Sequence, residues 1–127
     1  MTQPVRVLFV CRLNRNRSAT AERLFCKRQD LDVRSAGTHE DARVRVNKRM
    51  LDWADVIFAM DSEEHDKLTA MFPGHAALAR IVCLDIPDQF AFNEPELVRL
   101  LQARVDPHLV TGADAAGEGR SESPTRN

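Results

Sequence analysis

The order of segments along this chain predicts an α/β fold: a single domain with three layers, a four-stranded parallel sheet and helices on both faces. Three observations carry that prediction. Short apolar runs rich in β-branched residues recur at 5–10, 31–36, 56–60 and 81–84. Stretches with the helical spacing of apolar residues separate these runs and follow the last one. The length, 127 residues, is that of one domain, so all the units must share one core. Alternating strands and helices of this kind form a parallel sheet covered on both sides, whose ligand site lies beyond the carboxyl ends of the strands.

Each element has its own warrant. Val5-Arg6-Val7-Leu8-Phe9-Val10 is nearly continuous in apolar character and suits a strand buried on both faces. Residues 18–29 read as a helix, with Ala21, Leu24 and Phe25 on one stripe and Glu22, Arg23, Lys27 and Arg28 largely elsewhere. Cys26 lies beside Phe25 and reads as core. Leu31 to Ala36 alternates and ends at Gly37, a strand and a turn. Residues 42–53 look helical, with Val46, Met50, Leu51 and Trp53 as apolar members. After the third strand, Asp61 and Glu64 form an acidic capping box that opens a helix running to Met71, and Pro73-Gly74 stops it. Cys83 falls inside the fourth strand and reads as a packed core residue. Residues 85–93 form a loop, and Pro95 suits the first position of a last helix carrying Leu97, Leu100, Leu101 and Val105. From Thr111 on, periodicity ends. The expected organisation is one domain over 1–110 and a disordered tail over 111–127.

Composition narrows the function. Eighteen Lys and Arg against 19 Asp and Glu leave a formal charge of −1, which argues against a nucleic-acid partner held by a basic surface. No apolar run reaches the ~18 residues of a membrane span, so no membrane partner is expected. The apolar run near the N-terminus is too short for a signal peptide. Three Cys without a Cys-x-x-Cys pair argue against a disulfide framework or zinc cluster and for a reducing cytoplasm. His39, His65, His75 and His108 have no metal-ligand spacing, so neither metal nor cofactor is expected.

The informative stretch is Cys11-Arg12-Leu13-Asn14-Arg15-Asn16-Arg17-Ser18, directly between the first strand and the first helix. A loop there aims successive backbone N–H groups at one spot, and the helix N-terminus adds partial positive charge. Residues 12–16 thus make an anion cradle with Cys11 at its floor, where the helix end and Arg17 favour the thiolate. The Arg17 fork can grip two oxygens of a phosphate. A nucleophile beneath phosphorus with charge-assisted donors around it is what phosphoryl transfer to sulfur requires. Arg12 and Arg15 make the loop unusually basic: either they strengthen the pull on phosphate or on an acidic substrate, with Arg15 repelling a guanidinium if it lines the pocket mouth, or both are solvated surface side chains. Trp53 reads as core and Asp61 as a helix cap.

At these residues the chain resembles the low-molecular-weight protein tyrosine phosphatases. Their signature is an apolar strand, then Cys-x-x-Asn-x-x-Arg-Ser, then a helix beginning Ala-Glu; here Val7 to Glu22 follows it. Arg34-Ser35-Ala36-Gly37-Thr38 and Asp55 to Asp61 look like the family's second and third strand endings, so the resemblance covers most of residues 5–109. It implies a cytoplasmic phosphatase acting on a phosphorylated protein or a small phosphomonoester through a cysteinyl-phosphate. Cys11 is then the nucleophile and Arg17 the phosphate ligand. Arg12, Leu13, Asn14, Arg15 and Asn16 form the substrate cradle, Asn14 holds the loop in shape, and Ser18 stabilises the thiolate.

The family's general acid is an Asp followed by Pro and an aromatic, after the fourth strand. Aligned on the last helix, Asp88 falls on the acid and Phe90 on the substrate-facing aromatic; Asp85 competes because it follows the strand more closely. The chain departs from the pattern in four ways. Gln89 stands where Pro is usual, there is no Tyr, the segment between Gly37 and Val56 is short, and Asn16 replaces the second loop Cys that many members carry. Two other functions fit the same scaffold: a non-catalytic phosphate-binding module, and a thiol-linked arsenate reductase, which would need resolving cysteines on a mobile segment.

Overall fold

The computed structural model describes residues 3–117, with side chains through Leu109. Four strands, β1 (Val5–Cys11), β2 (Leu31–Gly37), β3 (Val56–Ala59) and β4 (Ile81–Cys83), form one parallel sheet in the order β2-β1-β3-β4. The helices are α1 (Arg17–Phe25), α2 (Lys48–Trp53), α3 (Ser62–Met71) and α4 (Pro95–Gly117), with a 3-10 turn at Ala76–Arg80.

Pleating of β1 sorts its side chains between two cores. Val7, Phe9 and Cys11 join Ala21 and Phe25 of α1 and Leu97, Leu101 and Val105 of α4 on one face. Leu8 and Val10 join Leu51 of α2 and Leu68 of α3 on the other. The three-layer α/β arrangement is therefore as the sequence predicts, and the continuous apolar run of β1 follows from burial on both sides. Phe9 stacks between Phe25 and Phe58, with ring centroids 5.6 and 5.4 Å away. Chain direction in the sheet diverges between β1 and β3, the switch point where such sheets open a crevice.

Four expectations need correction. The helix read over 42–53 is confined to α2. Residues 38–47 form bends and turns with one bridge, because their backbone pairs with the end of β2 and with the loop after β1: Gly37 N donates to Val44 O at 2.8 Å and Val46 N to Gly37 O at 2.9 Å. Asn47 then caps α2, its side chain accepting from Met50 N at 3.0 Å. Cys83 is exposed, because β4 is a three-residue edge strand. Cys26 is also exposed, one residue past the end of α1. Finally, α4 carries helical backbone through Gly117, over part of the stretch read as a tail; it contains Pro107, which has no N–H for an intrahelical bond. Residues 118–127 lie outside the described residues. Among the described residues, no helix is long and apolar enough to cross a membrane.

Candidate active site

The loop from Cys11 to Ser18 joins the carboxyl end of β1 to the amino end of α1 at the sheet's switch point. Its shape is set by Asn14, which is wholly buried with φ 58°, a left-handed conformation that Asn tolerates better than most residues. The Asn14 Nδ2 donates to Ser18 Oγ at 2.7 Å and to Ser35 Oγ on β2 at 2.9 Å. Ser35 in turn donates to Glu22 of α1, and Arg43 returns to the loop by donating from Nε to Asn14 O at 2.9 Å while its Nη2 lies 3.9 Å from Glu22. The loop is thus locked to β2, to α1 and to the 38–47 segment.

The Cys11 thiol is 3% exposed, with Ser18 Oγ 2.9 Å from the sulfur and Asn14 N donating to it at 3.2 Å. The Ser18 oxygen accepts from Asn14, and its hydroxyl has two acceptors within reach, the sulfur and Ala36 O at 3.4 Å. A hydroxyl in this position can donate to a thiolate at Cys11. Asn16 precedes α1 without a side-chain cap, so the first-turn amides remain open to an anion.

Arg17 is 2% exposed. Its Nη1 donates to Asp61 Oδ2 at 2.8 Å and to Ile86 O at 2.9 Å, while Nε is buried without a protein partner. Asp61 also caps α3, accepting from Glu64 N at 3.0 Å. The cap expected of Asp61 is present, and the same carboxylate orients Arg17, which sequence reasoning missed. The missing signal was positional: Asp61 follows β3, the strand beside β1. The reciprocal half of the capping box is absent because the Glu64 carboxylate accepts from Thr38 Oγ1 instead.

The two candidate acids separate clearly. Asp88 Oδ2 lies 3.7 Å from Arg17 Nη2, with its side chain half-exposed. Asp85 sits at φ 56°, its carboxylate accepts from the Cys83 thiol at 3.5 Å, and it makes no ion pair with Arg17 among the described residues. Burial pushes the Cys83 thiol up from its ordinary range. Phe90 is 8% exposed and packs in the core cluster with Ile86 and Leu97. Phe92 is the exposed aromatic of that loop. Trp53 is partly buried against the α2–α3 core, with the Arg34 guanidinium 4.2 Å over its ring. Arg12 and Arg15 are exposed, and Leu13 and Asn16 are partly buried.

Residues 38–43 clasp the loop from outside. Thr38 N donates to Cys11 O, His39 N to Arg12 O and Arg43 N to Leu13 O, each at 3.0 Å. Gly37 permits this approach, since a Cβ there would lie 2.5 Å from Arg12 O. Asp61, Glu63 and Glu64 bring carboxylate oxygens within 4.8 Å of one another, but Asp61 is committed to Arg17 and Glu64 to Thr38, so protein contacts account for the cluster.

No family model and no curated relative matches the chain. Solved structures do match. The YwlE arginine phosphatase from Geobacillus stearothermophilus superposes with a TM-score of 0.70 at 24% identity, over 93% of this chain and 100% of that one. A low-molecular-weight phosphotyrosine phosphatase from Vibrio cholerae O395 gives 0.69 at 22%, over 89% and 99%. The tyrosine phosphatase Wzb from Escherichia coli K30, solved with phosphate, gives 0.68 at 15%, over 84% and 96%. The chain therefore has the fold of the low-molecular-weight protein tyrosine phosphatases.

Proposed function

We propose that the protein hydrolyses phosphomonoesters of the protein-tyrosine-phosphate type through a cysteinyl-phosphate on Cys11. One observation carries the reading: the Cys11 sulfur is held by Ser18 and by a loop amide, beside a buried Arg17 whose Nε has no protein partner. Phosphate oxygens take up the loop amides, the first-turn amides of α1 and the free Arg17 donor. The Cys11 thiolate attacks phosphorus as the bond to the leaving oxygen breaks, and Asp88, as the carboxylic acid, protonates that oxygen. Asp88, now the carboxylate, removes a proton from water. Water attacks phosphorus, the S–P bond breaks, and the Ser18 hydroxyl stabilises the departing thiolate. Arg17 and the amides bear the transition-state charge, so this chemistry asks for neither metal nor cofactor. Substrates are a phosphorylated protein or a small phosphomonoester, and a free thiol nucleophile suits a reducing cytoplasm.

The distances favour Asp88 over Asp85 as the acid. An arsenate reductase would need a thiol able to reach Cys11. Cys83 lies two strands away in the sheet, roughly 10 Å, and Cys26 ends α1 about 13 Å from the loop.

The test is steady-state hydrolysis of p-nitrophenyl phosphate between pH 5 and 7. Turnover is expected to vanish in Cys11→Ser and to fall about 10²–10⁴-fold in Asp88→Asn. Unchanged turnover in Asp88→Asn would move the acid elsewhere. Phosphate binding by the wild-type protein with no turnover above the Cys11→Ser background would leave a phosphate-binding module.

A further inference from the structure

We propose that Arg12 and Arg15 select substrates whose leaving group carries a second anion close to the phosphate, and discriminate against cationic leaving groups. The inference rests on the hydrolase reading above and names its substrate class.

The loop divides its side chains by position. Cys11, Asn14, Arg17 and Ser18 are buried, whereas Arg12 and Arg15 are exposed. With the inner positions turned toward the sulfur and the α1 core, the two guanidiniums stand on the rim. Most other arginines here are already engaged: Arg6 with Asp55, Arg28 with Asp30, Arg43 with Glu22, Arg99 with Glu96, and Arg34 over Trp53. Arg12 and Arg15 have no ion pair or hydrogen bond to any side chain among the described residues. Two unpaired cations beside a phosphate cradle are poised for an anion they do not find in the protein.

The surrounding carboxylates do not cancel them. Asp88 lies toward Arg17 at 3.7 Å, and on the clasp Asp41 lies 3.8 Å from His39. Glu40 is the remaining exposed clasp carboxylate, one charge against two. Phosphate in the cradle is itself held by Arg17, so the rim pair adds to affinity only where the substrate brings further negative charge. A guanidinium or ammonium leaving group meets the same pair as repulsion. The shared chemistry is a phosphomonoester with a neighbouring anion, supplied either by acidic residues beside a phosphorylated side chain or by a second phosphate on a small molecule.

The experiment compares kcat/KM for phosphotyrosine peptides flanked by Asp or by Lys, and for a sugar bisphosphate against its monophosphate. Binding of the same four compounds to Cys11→Ser is measured alongside by calorimetry. The doubly anionic member of at least one pair is expected to be favoured about tenfold or more at low ionic strength, narrowing as salt shortens the Debye length. The pair showing the larger preference identifies the source of the second anion. In Arg12→Ala/Arg15→Ala the preference should fall to within about twofold, and in Arg15→Glu it should fall further or reverse. Equal use of both members by wild type, or a preference that survives the double substitution, overturns the proposal. If nothing is hydrolysed but Cys11→Ser still binds the doubly anionic compounds preferentially, the hydrolase reading fails and the rim selectivity stands.

Discussion

The loop of Cys11–Ser18 and the loop of residues 85–93 meet at Arg17 and are built in different ways. The first has its Cys11, Asn14, Arg17 and Ser18 side chains buried and is held from three sides: Asn14 to Ser18 and Ser35, Arg43 to Asn14 O, and the 38–43 backbone to Cys11, Arg12 and Leu13. The second is anchored at its ends and by Phe90, which is buried in the core. Ile86 N donates to Met60 O at 2.7 Å and Asn93 N to Thr20 Oγ1 at 2.8 Å, and left-handed Asp85 and Asn93 turn the chain at either end. Pro87, Asp88 and Gln89 between them are exposed. The contrast follows from the chemistry. Transition-state charge is best met by donors fixed beforehand, whereas a proton donor must approach different leaving groups and then a water. Substitutions in the phosphate loop's supports should therefore cost stability and turnover together. Substitutions in the acid loop should cost turnover alone.

The largest expected effect comes from Asp61→Ala. Arg17 is buried, and it would keep Ile86 O as its near acceptor and lose its nearer charge partner, leaving the half-exposed Asp88 at 3.7 Å. Removing one side of a buried ion pair costs roughly 3–5 kcal/mol, with about 1 kcal/mol more for the lost α3 cap. Urea unfolding should show a lowered midpoint, with turnover reduced in parallel. Asp88→Asn is the matched control in the other loop. Its side chain is half-exposed and makes only a 3.7 Å contact, so its midpoint should stay within about 0.5 kcal/mol of wild type. An equal loss of stability in Asp88→Asn would erase the distinction between the loops.

Gly37→Ala sharpens the same contrast from outside the loop. The new Cβ would lie 2.5 Å from Arg12 O and 2.7 Å from Ala42 Cβ. One of these is backbone, so the clasp must move away from the loop it holds. Overpacking of this kind costs typically about 1–3 kcal/mol, and a misplaced cradle costs turnover through geometry. Turnover should fall with stability, and a phosphate titration should show weaker binding. Wild-type turnover in a folded Gly37→Ala protein would mean that the clasp does not set the loop.

The two loops also differ in how much the sequence reveals of them. The residues of the proposed chemistry in the first loop are local: the proposed nucleophile Cys11, shape-setting Asn14, Arg17 and Ser18 fall within eight residues between a strand and a helix. What supports it is not local. The Arg17–Asp61 pair spans 44 positions and exists because β3 lies beside β1. Helical spacing over 42–47 is real, but backbone pairing with Gly37 and the loop overrides it, as tertiary contacts override weak propensity. Phe90 reads as a substrate-facing aromatic from its place in the pattern. Its burial in the cluster with Ile86 and Leu97 is not legible from that pattern. Cys83 reads as core because an apolar neighbourhood in sequence does not reveal that its strand is at the edge.

A third region, the amino end of the β1–β3 pair, should be energetically separate from both loops. There Asp55 accepts from Arg6 N at 2.9 Å and from Arg6 Nη2 at 3.2 Å. The backbone hydrogen bond from Arg6, opposed by partial burial and helped by the Arg6 side chain, holds the Asp55 carboxyl below its ordinary range. A lowered folded value means that the unfolded chain binds the proton first as pH falls. The contribution is complete above the unfolded value of about 4 and is lost as pH drops through the folded one. Both side chains are nearly half-exposed, so solvent screening keeps the effect below about 1 kcal/mol. Asp55→Asn should lower the unfolding midpoint slightly at pH 7 and flatten its decline below pH 4. Phosphate affinity and turnover at pH 6 should not change, because the pair lies at the end of the sheet opposite Cys11. A shift in turnover there would mean that the two ends of β1 are coupled, and the energetic separation of the far end from both loops would fail.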